Sequence, residues 1–128
     1  RLGLRLAIAS SSPRIWVVDT HLIRLGLADR FDAIICADDV LPGYTKPKPD
    51  LFLKALEAVD VQPHEAIVFE DSPNGVKAAC AAGIYAVSVP NPFTALLKTD
   101  GADLALTSLG DMPLQELLRK ADGTFVVE

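Results

Sequence analysis

The chain has 128 residues, half of them hydrophobic, with 17 acidic against 12 basic side chains and a net charge of −5. That length suits one domain with a sizeable core, and that apolar content excludes a disordered polypeptide. The negative balance argues against nucleic acid or an anionic membrane as the main partner, and no apolar run approaches the roughly 20 residues that a membrane span needs.

The opening Arg1-Leu-Gly-Leu-Arg-Leu lacks the apolar core and cleavage site of a signal peptide. Leu6 to Ala9 is predicted as a strand. Ser12-Pro13 then opens a helix in which Ile15, Val18, Leu22 and Leu25 share a face and which Gly26 stops. Ala33 to Cys36 is a second strand, followed by a polar, proline-bearing loop from Asp38 to Lys48. Phe52, Ala55, Leu56 and Val59 mark the next helix, which begins near Pro49-Asp50. Ala66 to Phe69 is a third strand. A helix over Ser72 to Ala82 follows, with Ser72 as its N-cap, Pro73 at its first position and Gly83 as its stop. Its small face (Val76, Ala79, Cys80) suits close packing on a sheet. Ile84 to Val89 is a fourth strand, Leu104 to Leu106 a short fifth, and Leu114 to Lys120 a final helix. Strands alternating with helices imply an α/β fold: a doubly wound, mostly parallel sheet with right-handed crossovers. Cys36 and Cys80 stand apart in apolar contexts, which predicts two buried thiols in a reducing, cytoplasmic setting.

Three polar clusters fall at strand ends or in the loops that follow, the edge where such sheets bind ligands. Ser10-Ser11-Ser12 offers hydroxyls and free backbone N–H groups suited to phosphate oxygens, although Ser12 and its neighbours could equally be cap and turn residues. In Lys46-Pro47-Lys48-Pro49-Asp50, prolines stiffen the loop around the lysines. A lysine pinned there could neutralise a transferring phosphoryl group, where an ordinary loop lysine would be solvated. Glu70-Asp71 ends an apolar strand and precedes a helix N-terminus that favours anions. That combination suits a Mg²⁺–phosphate site, with a pair of solvated turn acids as the alternative. Asp38, Asp39, Trp16 and Tyr44 could border such a site but read more simply as turn acids and rim aromatics. His21 and His64 are not assigned to catalysis.

In this order and spacing the three clusters resemble the haloacid dehalogenase (HAD) superfamily of phosphohydrolases, in its β-phosphoglucomutase-like and phosphatase branch. The resemblance runs from Leu6 to about Leu118. Ala-Ile-Ala-Ser10-Ser-Ser-Pro is similar to the family's second motif, which implies Ser10 as the phosphate-binding hydroxyl and Ser11 as a backbone N–H donor. Lys46 matches the third-motif lysine, while Lys48 occupies a variable position. Glu70-Asp71-Ser72-Pro-Asn-Gly75, followed by Ala78-Ala79 and Ala82-Gly83, is similar to the fourth motif. There Asp71 would be the direct Mg²⁺ ligand and Glu70 a second ligand or its supporting partner. The implied substrate is a small phosphorylated metabolite. The implied function is Mg²⁺-dependent phosphoryl transfer through an aspartyl-phosphate, with a sugar phosphomutase or a non-catalytic phosphate-binding remnant as alternatives. A receiver-type signalling domain uses similar residues, but there the acids come first and the lysine last, the reverse of the order here.

The family's first motif, Asp-x-Asp-Gly-Thr, supplies its nucleophile, and only nine residues precede Ser10. Asp122-Gly123-Thr124-Phe125 resembles its tail, yet Lys120 stands at the nucleophile position, so the stretch reads as a turn. Asp19-Thr20 lies inside a helical pattern. The chain begins at Arg1, and its one methionine is Met112. The resemblance therefore implies that residues 1–128 are the C-terminal portion of a HAD-type Rossmann-like core, incomplete at the N-terminus and without the cap domain. The 128 residues alone are expected to be inactive. A separate N-terminal fragment or a second protomer is expected to complete the sheet.

Overall fold

A computed structural model describes residues 2–122. Five strands form two all-parallel sheets. In the first, β1 (Ala7–Ala9) pairs with β2 (Ala33–Ile35), with Ala7 opposite Ala33 and Ala9 opposite Ile35. In the second, β3 (Ile67–Glu70), β4 (Tyr85–Ser88) and β5 (Leu104–Ala105) lie side by side in that order, with Glu70 opposite Ser88. Among the described residues no ladder joins β1 to β3.

Local chemistry explains the helices that flank these strands. α1 (Asp50–Val59) buries Leu51, Phe52, Ala55, Leu56 and Val59, a single stripe at helical spacing. It stops where Asp60 turns into the left-handed region at φ 54°. α2 (Pro73–Ala81) starts as expected: the Ser72 hydroxyl accepts the Gly75 N–H at 3.1 Å, and Pro73 fills the first position. Gly83, at φ +73°, ends its last turn, a conformation that strains any residue with a side chain. α3 (Leu114–Asp122) closes the described chain.

The second sheet is covered on both faces. Val68 and Ala86 join Phe52, Leu56, Val76, Ala79 and Ile84 in one core beneath α1 and α2. Val87, Leu106 and Leu117 form a second core beneath α3, with Ile67 and Tyr85 packed on it. Period-two alternation along β3 and β4 sends neighbouring side chains to opposite layers, so the doubly wound expectation holds. α1 links the sheets, packing on β1 and β2 and also touching α2.

Three expectations are corrected. The segment after Ser12 winds as a π-type helix over Ile15–Leu22, with i→i+5 bonds from Ile23 N to Val18 O (3.0 Å) and from Leu27 N to Leu22 O (2.8 Å). That wider winding breaks the predicted face: Leu22 is buried, whereas Ile15 and Leu25 are exposed. Cys36 is buried, but Cys80 is exposed at the rim of α2 and donates to the Gly101 carbonyl at 3.1 Å. Strand bounds shift by no more than one residue at either end, as terminal assignments do. Asp122 is the last residue of α3, and the remainder of the predicted 122–125 turn lies outside the described residues. Among the described residues, no helix is long and apolar enough to cross a membrane.

Leu51 is fully buried and Leu53, two positions along the same helix, is half-exposed. Leu51→Ala should therefore cost about 2–5 kcal/mol in urea unfolding, and Leu53→Ala less than about 1 kcal/mol.

Candidate phosphate and metal site

The three clusters sit at carboxyl ends of β1 and β3 and in the loop between β2 and α1. Ser10 extends the β1 ladder by donating its N–H to Ile35 O at 2.9 Å. Its hydroxyl accepts the Ser12 N–H at 3.1 Å, which folds the three serines into a tight turn. The Ser11 hydroxyl accepts the backbone N–H of Lys46 at 3.2 Å, tying the lysine loop to that turn. The Lys46–Pro47 peptide bond is cis.

From this anchored backbone the two lysines part company. The Lys46 ammonium pairs with Glu70 Oε1 and lies 4.8 Å from the centre of the Phe52 ring. Lys48 instead sets its ammonium 4.0 Å over the Tyr44 ring on the exposed side of the loop. The Lys46–Glu70 pair is well shielded, with side-chain exposures of 13% and 8%. Ser72, the α2 N-cap, also donates to Glu70 Oε2 at 3.4 Å. The Glu70 carboxylate is thus wedged under the first turn of α2, where a Cβ on residue 75 would overlap its oxygens. A side chain at position 75 would have to displace that carboxylate.

Asp71 points the other way. It is exposed, and its Oδ2 accepts an N–H from the Asn91 side chain at 2.7 Å. Asn91 is not singled out by the sequence: its one local signal is an Asn-Pro pair in the loop after β4, a turn signature that says nothing about a partner 20 residues away. Asp38 and Asp39 hold structure together. Asp38 accepts the Arg14 N–H at 2.5 Å, while Asp39 accepts the Cys36 N–H at 2.7 Å and pairs with the Arg14 guanidinium at 2.6 Å. The Cys36 N–H and then Arg14 hold the Asp39 carboxyl below its ordinary range. Burial pushes the Cys36 thiol up, away from reactive thiolate character. Trp16 and His21 line a cavity of about 260 Å³ beside Ser10 and Ser12. His64 lines a different one, of about 600 Å³, at the amino ends of β3 and β4.

The donor set can be weighed against Mg²⁺. Among the described residues no three His, Cys, Asp or Glu side chains converge as a ready-made cage. Mg²⁺ does not need one: it commonly takes one or two carboxylates and fills its shell with water and phosphate oxygens. Asp71, a hard anionic oxygen donor on an exposed strand end, fits that mode. Glu70 is already engaged by Lys46 and Ser72, an arrangement suited to supporting the site more than to ligating directly.

Residues 1–83 match the haloacid dehalogenase-like hydrolases. The chain belongs to that family. It is 44% identical over 117 residues to the YhcW protein of Bacillus subtilis (strain 168), covering 91% of this chain and 52% of that protein. It is 37% identical over 112 residues to validoxylamine A 7'-phosphate phosphatase of Streptomyces hygroscopicus subsp. limoneus, covering 88% of this chain and 51% of that enzyme. Among solved structures it is similar to CbbY from Rhodobacter sphaeroides in complex with xylulose-(1,5)bisphosphate. The TM-score is 0.77 at 34% identity, over 85% of this chain and 48% of that one. The chain spans about half the length of the curated relatives it matches.

Two expectations follow from the site's geometry. Gly75→Ala should lower stability by about 1–3 kcal/mol through overpacking, and by less than about 0.5 kcal/mol in a Glu70→Ala background, where the obstructing carboxylate is gone. A double-mutant cycle in urea measures that coupling. Asp39, held below its ordinary pKa in the fold, contributes stability that is full above about pH 4 and is lost as pH falls through the lowered value. The stability difference between wild type and Asp39→Asn should therefore be largest near pH 7 and shrink towards pH 3, read from unfolding midpoints at the two pH values.

Proposed function

We propose that this chain is the C-terminal part of the core of a Mg²⁺-dependent phosphatase acting on small phosphate monoesters. The observation that carries the reading is Lys46, tied by its backbone to Ser11 and by its ammonium to Glu70, the residue directly before Asp71 at the end of β3. In this reading Ser10 donates its hydroxyl, and Ser11 its backbone N–H, to phosphate oxygens. Lys46 neutralises the phosphoryl charge. An ammonium has three donors, so Lys46 can keep its bond to Glu70 and still offer two to phosphate. Asp71 holds the cation, which when bound supplies charge neutralisation at a phosphoryl oxygen. Glu70 fixes where Lys46 points.

The nucleophile is an aspartate supplied from outside these 128 residues, on a strand that an upstream segment or a second protomer places against the sheets. Supporting this, among the described residues β3 pairs on one side only, with β4, and its Phe69 remains 45% exposed. Phosphoryl transfer then runs through an aspartyl-phosphate. The 128 residues alone bind but do not turn over substrate. A cytoplasmic setting agrees with the unpaired thiols of Cys36 and Cys80.

The test is a steady-state assay of the protein carrying its upstream segment on sugar and nucleotide monophosphates, with Mg²⁺ and with chelator. Turnover should require Mg²⁺. Asp71→Asn should abolish it with the fold intact, because the amide keeps the size and loses the anionic ligand. Lys46→Ala should reduce kcat by about 10²–10³, the scale of one lost electrostatic donor. Near-wild-type rates in both variants, or turnover indifferent to chelator, would overturn the reading. In the same assay the 128-residue chain alone should give no turnover, and a rate that Asp71→Asn removes would contradict the outside nucleophile.

A further inference from the structure

We propose that Asn91 is a positioning residue that aims the Asp71 carboxylate at the divalent cation, an inference resting on the metal role given to Asp71 above. Asn91 lies in the loop beyond β4, the strand that pairs with β3, and its side chain reaches the neighbouring strand end. Its Oδ1 accepts two backbone N–H groups, from Phe93 at 2.8 Å and Thr94 at 3.1 Å. Its own backbone N–H donates to the Thr94 hydroxyl at 2.9 Å. With the carbonyl end of the amide committed twice, the NH₂ end has one orientation. It donates to Asp71 Oδ2 at 2.7 Å. Flipping the amide would forfeit both acceptor bonds and set oxygen against a carboxylate.

The consequence for Asp71 is directional. One oxygen is held, and among the described residues Oδ1 accepts no hydrogen bond, so Oδ1 is the oxygen presented to a hard cation. The turn itself does not require the second contact. A serine at position 91 could cap the same backbone N–H groups, because short hydroxyl side chains make such turns. The asparagine amide combines a cap for the turn with an NH₂ donor that reaches Asp71. A group that orients a ligating carboxylate in this way is typically worth 10–100-fold in metal affinity.

The measurement is calorimetric titration of MgCl₂ into the protein carrying its upstream segment, as wild type, Asn91→Ser, Asn91→Ala and Asp71→Asn. The Mg²⁺ dependence of turnover is followed in parallel. Asn91→Ser should raise the Mg²⁺ Kd at least about tenfold. The Mg²⁺ concentration for half-maximal rate should rise equally, with substrate KM at saturating Mg²⁺ within about twofold and the metal-free melting temperature nearly unchanged. Asn91→Ala should show the same Mg²⁺ defect, and if it fails to fold, Asn91→Ser decides. A wild-type Kd in Asn91→Ser, whatever its melting temperature, would overturn the proposal while leaving the role of Asp71 standing. A wild type that binds Mg²⁺ no more tightly than Asp71→Asn would overturn both.

Discussion

The candidate site depends on one shielded ion pair, Lys46 with Glu70. It ties the loop after β2 to the end of β3, two segments that share no ladder. Its carboxylate also fills the space beside Gly75 and meets the N-cap serine of α2. Such a pair is a poor way to gain stability, since desolvation offsets much of the attraction and packed apolar residues of similar volume often do as well. Removing one partner is another matter, because the charge left behind is buried and alone. A shielded lysine with donors to spare is what a phosphate-handling site requires.

The surrounding architecture holds that pair in register. α1 packs across β1 and β2 and touches α2, while its Phe52 lies under the Lys46 ammonium. The same helix that joins the two sheets thus provides an apolar floor for the cation. On the opposite side of the strand end, Asp71 is exposed and fixed by Asn91. The last residue of β3 and the first residue beyond it therefore face different surroundings. Glu70 goes into the α2 layer, and Asp71 goes to the open edge where a ligand can reach it.

Much of this was legible in the sequence wherever the signal was local. Ser72, Pro73 and Gly83 mark both ends of α2, and the stripe of α1 announces its buried face. The strand-end clusters were visible because an acid pair or serine run that interrupts an apolar segment stands out. What was not legible depended on distant partners or on unusual winding. Nothing in Lys46-Pro47-Lys48 tells which lysine meets an acid 24 positions away and which lies over Tyr44. Cys80 falls one turn after Val76 and so reads as buried, yet the packed face turns through Ala78, Ala79 and Ala82 and leaves it at the rim. The apolar spacing from Ile15 to Leu25 fits a period of 3.6 residues, whereas i→i+5 bonding in this segment spaces the turns more widely.

The central claim is that Ser10, Lys46 and Asp71 converge on one phosphate and one cation. The most direct measurement is a crystal structure of the protein with its upstream segment, grown with Mg²⁺ and a tetrahedral or trigonal phosphoryl mimic such as tungstate or trifluoroberyllate. The anion should contact the Ser10 hydroxyl and the Lys46 ammonium, with Mg²⁺ on Asp71 and Glu70 still paired to Lys46. An anion bound away from Ser10 and Lys46, or a cation that bypasses Asp71, would contradict the claim.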